Sequence, residues 1–89
     1  MKRRTCLFSG RVQGVGFRYT AQNVASRYNV RGYVKNLTDG RVELVMEGDE
    51  KEMDAIVREI GQHLDGFITE RKDQLDPATG EFKEFSIRH

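Results

Sequence analysis

Three residues in one short segment are of the types that bind an anion. Gly14 and Gly16 lie between an alternating apolar segment and a helix-like one, and Arg18 follows two residues later. Where a strand gives way to a helix, the first backbone N–H groups lack intrahelical partners, and glycine allows a tight turn and close ligand approach. A guanidinium matches two oxygens of a phosphoryl group and stays charged at any working pH. The segment therefore predicts a phosphate site, with Arg18 folding back over an anion held by the loop.

Established phosphate-loop patterns do not describe this segment. The dinucleotide-binding pattern would need glycine at Tyr19, and a Walker loop starting at Gly10 would need glycine at Val15. A Gly-x-Gly between a strand and a helix also occurs as a plain turn. Spacing alone therefore leaves a turn and a phosphate site both open.

Other catalytic chemistries lack the residues that they need. Cys6 and Arg11 are one residue too close for the loop of cysteine-dependent phosphatases, and Cys6 is expected to be a core residue of a strand. His63 is expected to be a surface residue near a helix end, where the helix dipole favours it. Together with His89 it makes no cluster with metal-ligand spacing, so we expect no metal site in the protein.

Charge is divided unevenly along the chain. Eight basic and no acidic residues precede Asp39, whereas all 14 acidic residues lie at or after it, and the net charge is +1. A basic segment indicates an anionic partner, which is nucleic acid, membrane phosphate or a small phosphorylated molecule. No apolar run approaches the ~20 residues that cross a bilayer, and no signal-peptide core follows the basic start. With its single cysteine, the sequence predicts a cytoplasmic protein that binds no membrane.

Hydrophobic periodicity predicts the elements that position these residues. Segments that alternate predict strands, and apolar stripes at helical spacing predict helices, the second of which begins with a capping box formed by Asp49 and Glu52. A length of 89 residues is enough for one domain, 1–89, and too short for two. The order predicts an α+β two-layer sandwich, with two helices on one face of an antiparallel sheet and an extra C-terminal strand. The predicted strands lie at 5–12, 30–36, 42–46, 67–75 and 82–88, and the helices at 17–28 and 49–64.

The loop and the second strand carry a family resemblance. The sequence GRVQGVGFR at 10–18 closely resembles the signature of the acylphosphatases, and GYVKN at 32–36 resembles their second motif. The likeness extends through 39–43 and 85–88. It implies a ferredoxin-like βαββαβ sandwich and a small hydrolase, without a cofactor, that splits the carboxyl-phosphate bond of acyl phosphates into a carboxylate and inorganic phosphate.

The resemblance also implies a role for individual residues. It makes Arg18 and Asn36 the catalytic residues, with Arg18 and the loop amides holding the phosphate and Asn36 holding a water. Tyr33 stands where many relatives carry tryptophan, which should affect packing more than chemistry, and residues 66–83 lack the family's landmarks. The phosphate-binding residues carried over are Gln13, Gly14, Val15, Gly16, Phe17 and Arg18.

The implied reaction needs few catalytic groups. A carboxylate leaving group corresponds to an acid of pKa about 4, so it departs without a general acid. The phosphoryl group passes through a loose transition state, for which positioning and positive charge supply most of the catalysis. We therefore expect direct attack by water, with no phosphoenzyme.

Two alternatives remain at this stage. An RNA-binding module of the RRM type shares the element order, but its middle strands need aromatic residues for base stacking, and 41–47 has none. A non-catalytic domain that binds phosphate or carbamoyl phosphate within a larger protein is the other. The favoured partners are an acyl phosphate and inorganic phosphate, not nucleic acid, and the favoured state is a monomer. The remaining basic residues should lie on the surface, some paired with acids of 39–89.

Overall fold

The computed structural model describes residues 1–89 as a five-stranded sheet with two helices packed on one of its faces. The strand order across the sheet is β4-β1-β3-β2-β5. This arrangement confirms the predicted ferredoxin-like α+β sandwich with an added C-terminal strand. The strands are β1 (Lys2–Gly10), β2 (Arg31–Asn36), β3 (Val42–Gly48), β4 (Ile68–Pro77) and β5 (Phe85–Arg88), and the helices are α1 (Phe17–Ala25) and α2 (Glu50–His63).

The core lies between the sheet and the helices. Alternate residues of β1, β2 and β3 point toward the helices, and one stripe of each helix points back, as the sequence periodicity predicts. Each large apolar side chain buried in this way contributes about 1.5–3 kcal/mol to folding. The fully buried residues include Phe8, Val34, Leu44 and Met46 from the strands and Ala21, Met53, Ile56 and Ile60 from the helices.

The prediction of an antiparallel sheet is wrong for one pair of strands, because β5 runs parallel to β2. Strand β4 is antiparallel to β1 and ends with Pro77 opposite Lys2. The chain then crosses in 78–84 to the opposite edge, where Gly32 pairs with Phe85. Because β5 starts at the same end of the sheet as β2, it must run in the same direction.

Both ends of β1 and the end of α1 differ from the predicted ones. Strand β1 begins at Lys2 rather than at residue 5, because Arg3 and Arg4 form ion pairs there, with Glu47 and with Asp73. It ends at Gly10, after a register shift between Ser9 and Gly10, rather than at residue 12. Helix α1 ends at Ala25, three residues short of the predicted end.

The predicted capping box at the start of α2 is wrong. Asp49 is the N-cap residue, but its side chain makes no capping hydrogen bond. The Glu52 carboxylate instead accepts a hydrogen bond from the backbone N–H of Asn29, at 3.0 Å. Glu52 therefore joins the helix to the segment before β2. Neither α1 nor α2 has the length and apolar character that a membrane-spanning helix requires.

Candidate active site

The loop 11–16 connects β1 to α1 and has the backbone path that its glycines permit. Gly14 and Gly16 both have φ of +79°, in the left-handed region that side chains disfavour, and Gly16 is the N-cap residue of α1. A Cβ atom at either position would meet no atom within 4 Å. The backbone conformation, rather than crowding, therefore requires glycine here.

The backbone amides of this loop are free to bind a ligand. The N–H groups of 13–16 donate no hydrogen bond within the protein, and the helical ladder begins with Thr20 N–H donating to the Gly16 carbonyl at 3.0 Å. Successive unbonded N–H groups at the positive end of a helix dipole form an anion-binding site. The loop therefore presents free amide donors at the place where the sequence predicts a phosphate site.

Gln13 braces the loop against the neighbouring β-hairpin. Its side-chain Nε2 donates to the carbonyl oxygens of Leu37 and Arg41, at 2.8 and 3.0 Å. Leu37 N–H in turn donates to the Arg41 carbonyl at 2.8 Å, which closes the hairpin between β2 and β3. The Gln13 side chain thus supports the loop, and its backbone N–H is the group that remains free for a ligand.

Arg18 lies between the loop and the end of β5. Its Nη1 donates to the Arg88 carbonyl at 3.4 Å and lies 3.1 Å from Nδ1 of His89. It forms no ion pair with a carboxylate within 4 Å. The positive charge of Arg18 is therefore not neutralised by the protein. Sequence reasoning missed the contact with 88–89, because it depends on the parallel direction of β5.

Asn36 is the last residue of β2, and its carboxamide has no partner. The Oδ1 atom is buried and accepts no hydrogen bond, and Nδ2 donates none to another group of the protein. Leaving a buried polar group unpaired costs about 1–3 kcal/mol. Such exceptions are rare and often have a functional reason.

One pocket of about 190 Å³ brings most of the predicted site residues together. Gly14, Gly16, Phe17, Arg18 and Asn36 line it, and no acidic side chain does. Its remaining lining residues are Val12 and Tyr19.

Two of the predicted phosphate-binding residues do not line this pocket. The Gln13 side chain turns to the hairpin, and Val15 packs half-buried against the core. Tyr19, which does line it, was not predicted, although its place directly after Arg18 in the first turn of α1 was the available signal.

Cys6 is a core residue, as predicted. It is fully buried, and its thiol donates to Oδ1 of Asp73 at 2.9 Å. Burial, together with the neighbouring Asp73 carboxylate, raises the pKa of the Cys6 thiol to about 12. The thiol is therefore protonated near neutral pH and does not act as a nucleophile.

Comparison with known proteins connects this chain to one family. A family model described as Acylphosphatase matches residues 4–87. An acylphosphatase from Methylococcus capsulatus is 44% identical over 91 residues, covering 98% of this chain and 96% of its own. An acylphosphatase from Paenarthrobacter aurescens is 41% identical, covering 96% and 92%.

Solved structures give the same result. The crystal structure of an acylphosphatase from Bacillus subtilis superimposes with a TM-score of 0.92 at 33% identity, over all of both chains. Full-length HypF, in a phosphate- and nucleotide-bound form, matches with a TM-score of 0.88 at 34% identity, over 99% of this chain and 12% of its own. Similar folds thus occur both as proteins of this length and as a small part of a larger one.

Proposed function

We propose a role for each residue of the site from the premise that the chain belongs to the acylphosphatase family and hydrolyses acyl phosphates to a carboxylate and inorganic phosphate. In this proposal, Arg18 and the loop amides hold the phosphoryl group, and Asn36 holds the attacking water. The observation that carries this proposal is the pocket that Gly14, Gly16, Arg18 and Asn36 line together.

The first step is binding of the phosphoryl group. Its oxygens accept hydrogen bonds from the free N–H groups of 13–16 and from the Arg18 guanidinium. Because no carboxylate lines the pocket or pairs with Arg18, a dianionic group meets no like charge on the pocket wall. These fixed donors bind more strongly as charge spreads over the equatorial oxygens in the transition state, which is how they lower the barrier.

The second step is attack by water on phosphorus. The Asn36 carboxamide has both an acceptor and a donor free, so it can fix the orientation of a water beside the phosphoryl group. The water oxygen forms the new bond to phosphorus as the bond to the acyl oxygen breaks. The carboxylate leaves as a stable anion without a proton, and the water's proton passes to the phosphate or to solvent. No covalent intermediate, metal or cofactor takes part.

The setting proposed for this enzyme is a monomer in the cytoplasm. Its exposed large apolar residues are Met1 before β1, Tyr19 of α1 and Leu75 of β4, and they form no broad apolar patch of the kind that subunit interfaces need. Sedimentation equilibrium at micromolar concentration should give the mass of one chain, 10.3 kDa. A stable dimer would contradict this part of the proposal.

The alternative of a non-catalytic binding domain is not favoured. The acylphosphatases from Methylococcus and Bacillus subtilis match this chain over nearly their whole length. The likeness to HypF covers 12% of that protein and adds no activity to this one. An RNA-binding role is not favoured either, since β3 offers no aromatic side chain on which a base could stack.

The test of this mechanism is to replace Asn36 with alanine and to measure hydrolysis of benzoyl phosphate with a chelator present. We expect kcat to fall about 10²-fold or more, because the water loses its orientation, while inorganic phosphate still inhibits competitively with a similar Ki. Asn29→Ala is the matched control, because Asn29 is an exposed asparagine whose side chain makes no hydrogen bond.

Two outcomes would contradict the mechanism. If phosphate inhibition disappeared in Asn36→Ala, Asn36 would belong to the phosphate site rather than to the water. If the chelator abolished hydrolysis by the unmodified enzyme, the reaction would need a metal.

A further inference from the structure

A shallow groove continues from the phosphate pocket along the outer side of α1. It has a volume of about 420 Å³ and lies between α1 and β5. Tyr19 lines both the pocket and the groove, so the two share a wall. The other lining residues of the groove are Gln22, Asn23, Ser26 and Phe85.

The spacing of these residues on α1 explains why they form one surface. Positions 19, 22, 23 and 26 follow the i, i+3, i+4, i+7 pattern, which places their side chains on one side of the helix. This side faces away from the core, because the buried stripe contains Phe17, Ala21 and Val24 instead. Tyr19 is 69% exposed, so its ring is available to a ligand.

The chemistry of the groove is unusual for this protein. Charged residues make up 33% of the chain, yet none of the five lining residues carries a charge. Two aromatic rings, two carboxamides and two hydroxyl groups form the surface instead. Such a surface binds a flat, uncharged group by ring contact and by hydrogen bonds, and it offers no ion pair to an anionic one.

We propose that this groove binds the acyl group of the substrate and selects uncharged acyl groups that carry an aromatic ring or an amide. The inference rests on the proposed function, because it requires the phosphoryl group to lie in the neighbouring pocket. With the phosphoryl group against the loop amides, the acyl group leaves the pocket past Tyr19 and lies along the groove. Contacts to this non-reacting part of the substrate add to kcat/KM.

The experiment compares two substrates that differ in the acyl group alone. We measure kcat/KM for benzoyl phosphate and acetyl phosphate with the wild-type enzyme, Tyr19→Ala and Tyr19→Phe. Tyr19→Ala should lower kcat/KM for benzoyl phosphate about 5- to 10-fold and that for acetyl phosphate by less than about twofold, since acetyl is too short to reach along the ring. Tyr19→Phe keeps the ring and should retain the preference for benzoyl phosphate.

A second pair of variants tests the carboxamides. Gln22→Ala should lower kcat/KM for a carboxamide-substituted benzoyl phosphate more than for benzoyl phosphate itself. Gln62 is an exposed glutamine on α2 outside the groove, so Gln62→Ala is the matched control and should leave kcat/KM unchanged for both substrates. The Ki of inorganic phosphate should stay constant in all variants.

Each of the remaining outcomes contradicts the proposal. If Tyr19→Ala lowered kcat/KM equally for benzoyl and acetyl phosphate, Tyr19 would act in the phosphate site or in stabilising the fold instead of in an acyl site. Unchanged kinetics with both substrates would show that the acyl group lies elsewhere. If the wild-type enzyme hydrolysed neither substrate, the proposed function itself would fail, and the groove would lose its ligand with it.

Discussion

Arg18 differs from most other arginines of this protein in the kind of group that its guanidinium contacts. Arg3, Arg4, Arg27, Arg41 and Arg71 each pair with at least one carboxylate. Arg18 contacts a backbone carbonyl and an imidazole instead. Neither partner is a carboxylate, so the charge of Arg18 is not paired within the protein, which a residue that binds phosphate requires.

Replacing Arg18 with lysine tests how much the guanidinium fork contributes. Lysine keeps the charge but loses the planar donor pair, so kcat/KM for benzoyl phosphate should fall about 10³-fold or more, on the scale of arginine fingers in other phosphoryl transfers. Arg58→Lys, an exposed arginine of α2 with no ion pair, is the control and should keep normal turnover. Near-normal activity of Arg18→Lys would remove Arg18 from the mechanism.

The sequence indicates Gly14, Gly16 and Arg18 through residue type and spacing, which leave a plain turn open, and indicates Asn36 through the resemblance of 32–36 to a family motif. The sequence did not predict the contacts that hold these residues in place. Gln13 bonds to carbonyl oxygens 24 and 28 residues away, and Arg18 contacts residues 70 and 71 positions later. Every residue has a backbone carbonyl, so no sequence pattern can show which carbonyl accepts a hydrogen bond. These supporting contacts are therefore seen in the folded chain.

At the level of the elements, local periodicity predicted both helices and all five strands, but not the direction of β5 or the start of β1. The direction of β5 depends on a crossing between opposite sheet edges, and the start of β1 on acidic partners from β3 and β4. Both are long-range effects.

Two glycines of the helices, one at the start of α1 and one inside α2, should respond oppositely to replacement by alanine. Gly61 lies inside α2 with helical backbone, whereas Gly16 caps α1 at φ +79°, and a Cβ atom meets no neighbour at either position. Gly61→Ala should raise the free energy of unfolding by about 0.5–1 kcal/mol through helix propensity. Gly16→Ala should lower it by about 1 kcal/mol through backbone strain, and should also lower kcat/KM because the loop amides shift.

Urea denaturation followed by circular dichroism measures both changes. A loss of stability in Gly61→Ala would mean that the glycine serves a packing role in α2. Unchanged stability and activity in Gly16→Ala would mean that the loop reaches its path without glycine.

Across the whole molecule, one buried carboxylate holds the crossing from β4 to β5. Glu47 of β3 is 5% exposed and accepts hydrogen bonds from the backbone N–H groups of Thr79 and Gly80, at 2.8 and 2.9 Å, and from Arg3 Nε at 2.8 Å. Phe82 of the same crossing segment packs edge-on against Tyr33. Val42, Leu44 and Met46 of β3 are buried in the core, and Glu47 lies outside this alternating set, so no sequence pattern indicated its role as an anchor.

Glu47 also makes the stability of the protein depend on pH. Burial by itself would raise the pKa of this carboxyl, but the N–H donors of Thr79 and Gly80 and the Arg3 guanidinium outweigh it and lower the pKa from 4.5 to about 2. Because the folded-state pKa lies below the unfolded one, the stabilisation is fully present above about pH 5 and is lost as pH falls from there through pH 2. Its size is about 3 kcal/mol.

Glu47→Gln should therefore unfold more easily than the wild-type protein at pH 7, and the difference in the free energy of unfolding should shrink as pH falls toward 2. Urea titrations at a series of pH values give this difference directly. Glu70→Gln is the matched control, because Glu70 is an exposed carboxylate of β4 without an ion pair or side-chain hydrogen bond, and it should follow the wild-type curve. A difference between Glu47→Gln and the wild type that stayed constant from pH 7 to pH 2 would mean that Glu47 holds the crossing by shape and not by charge.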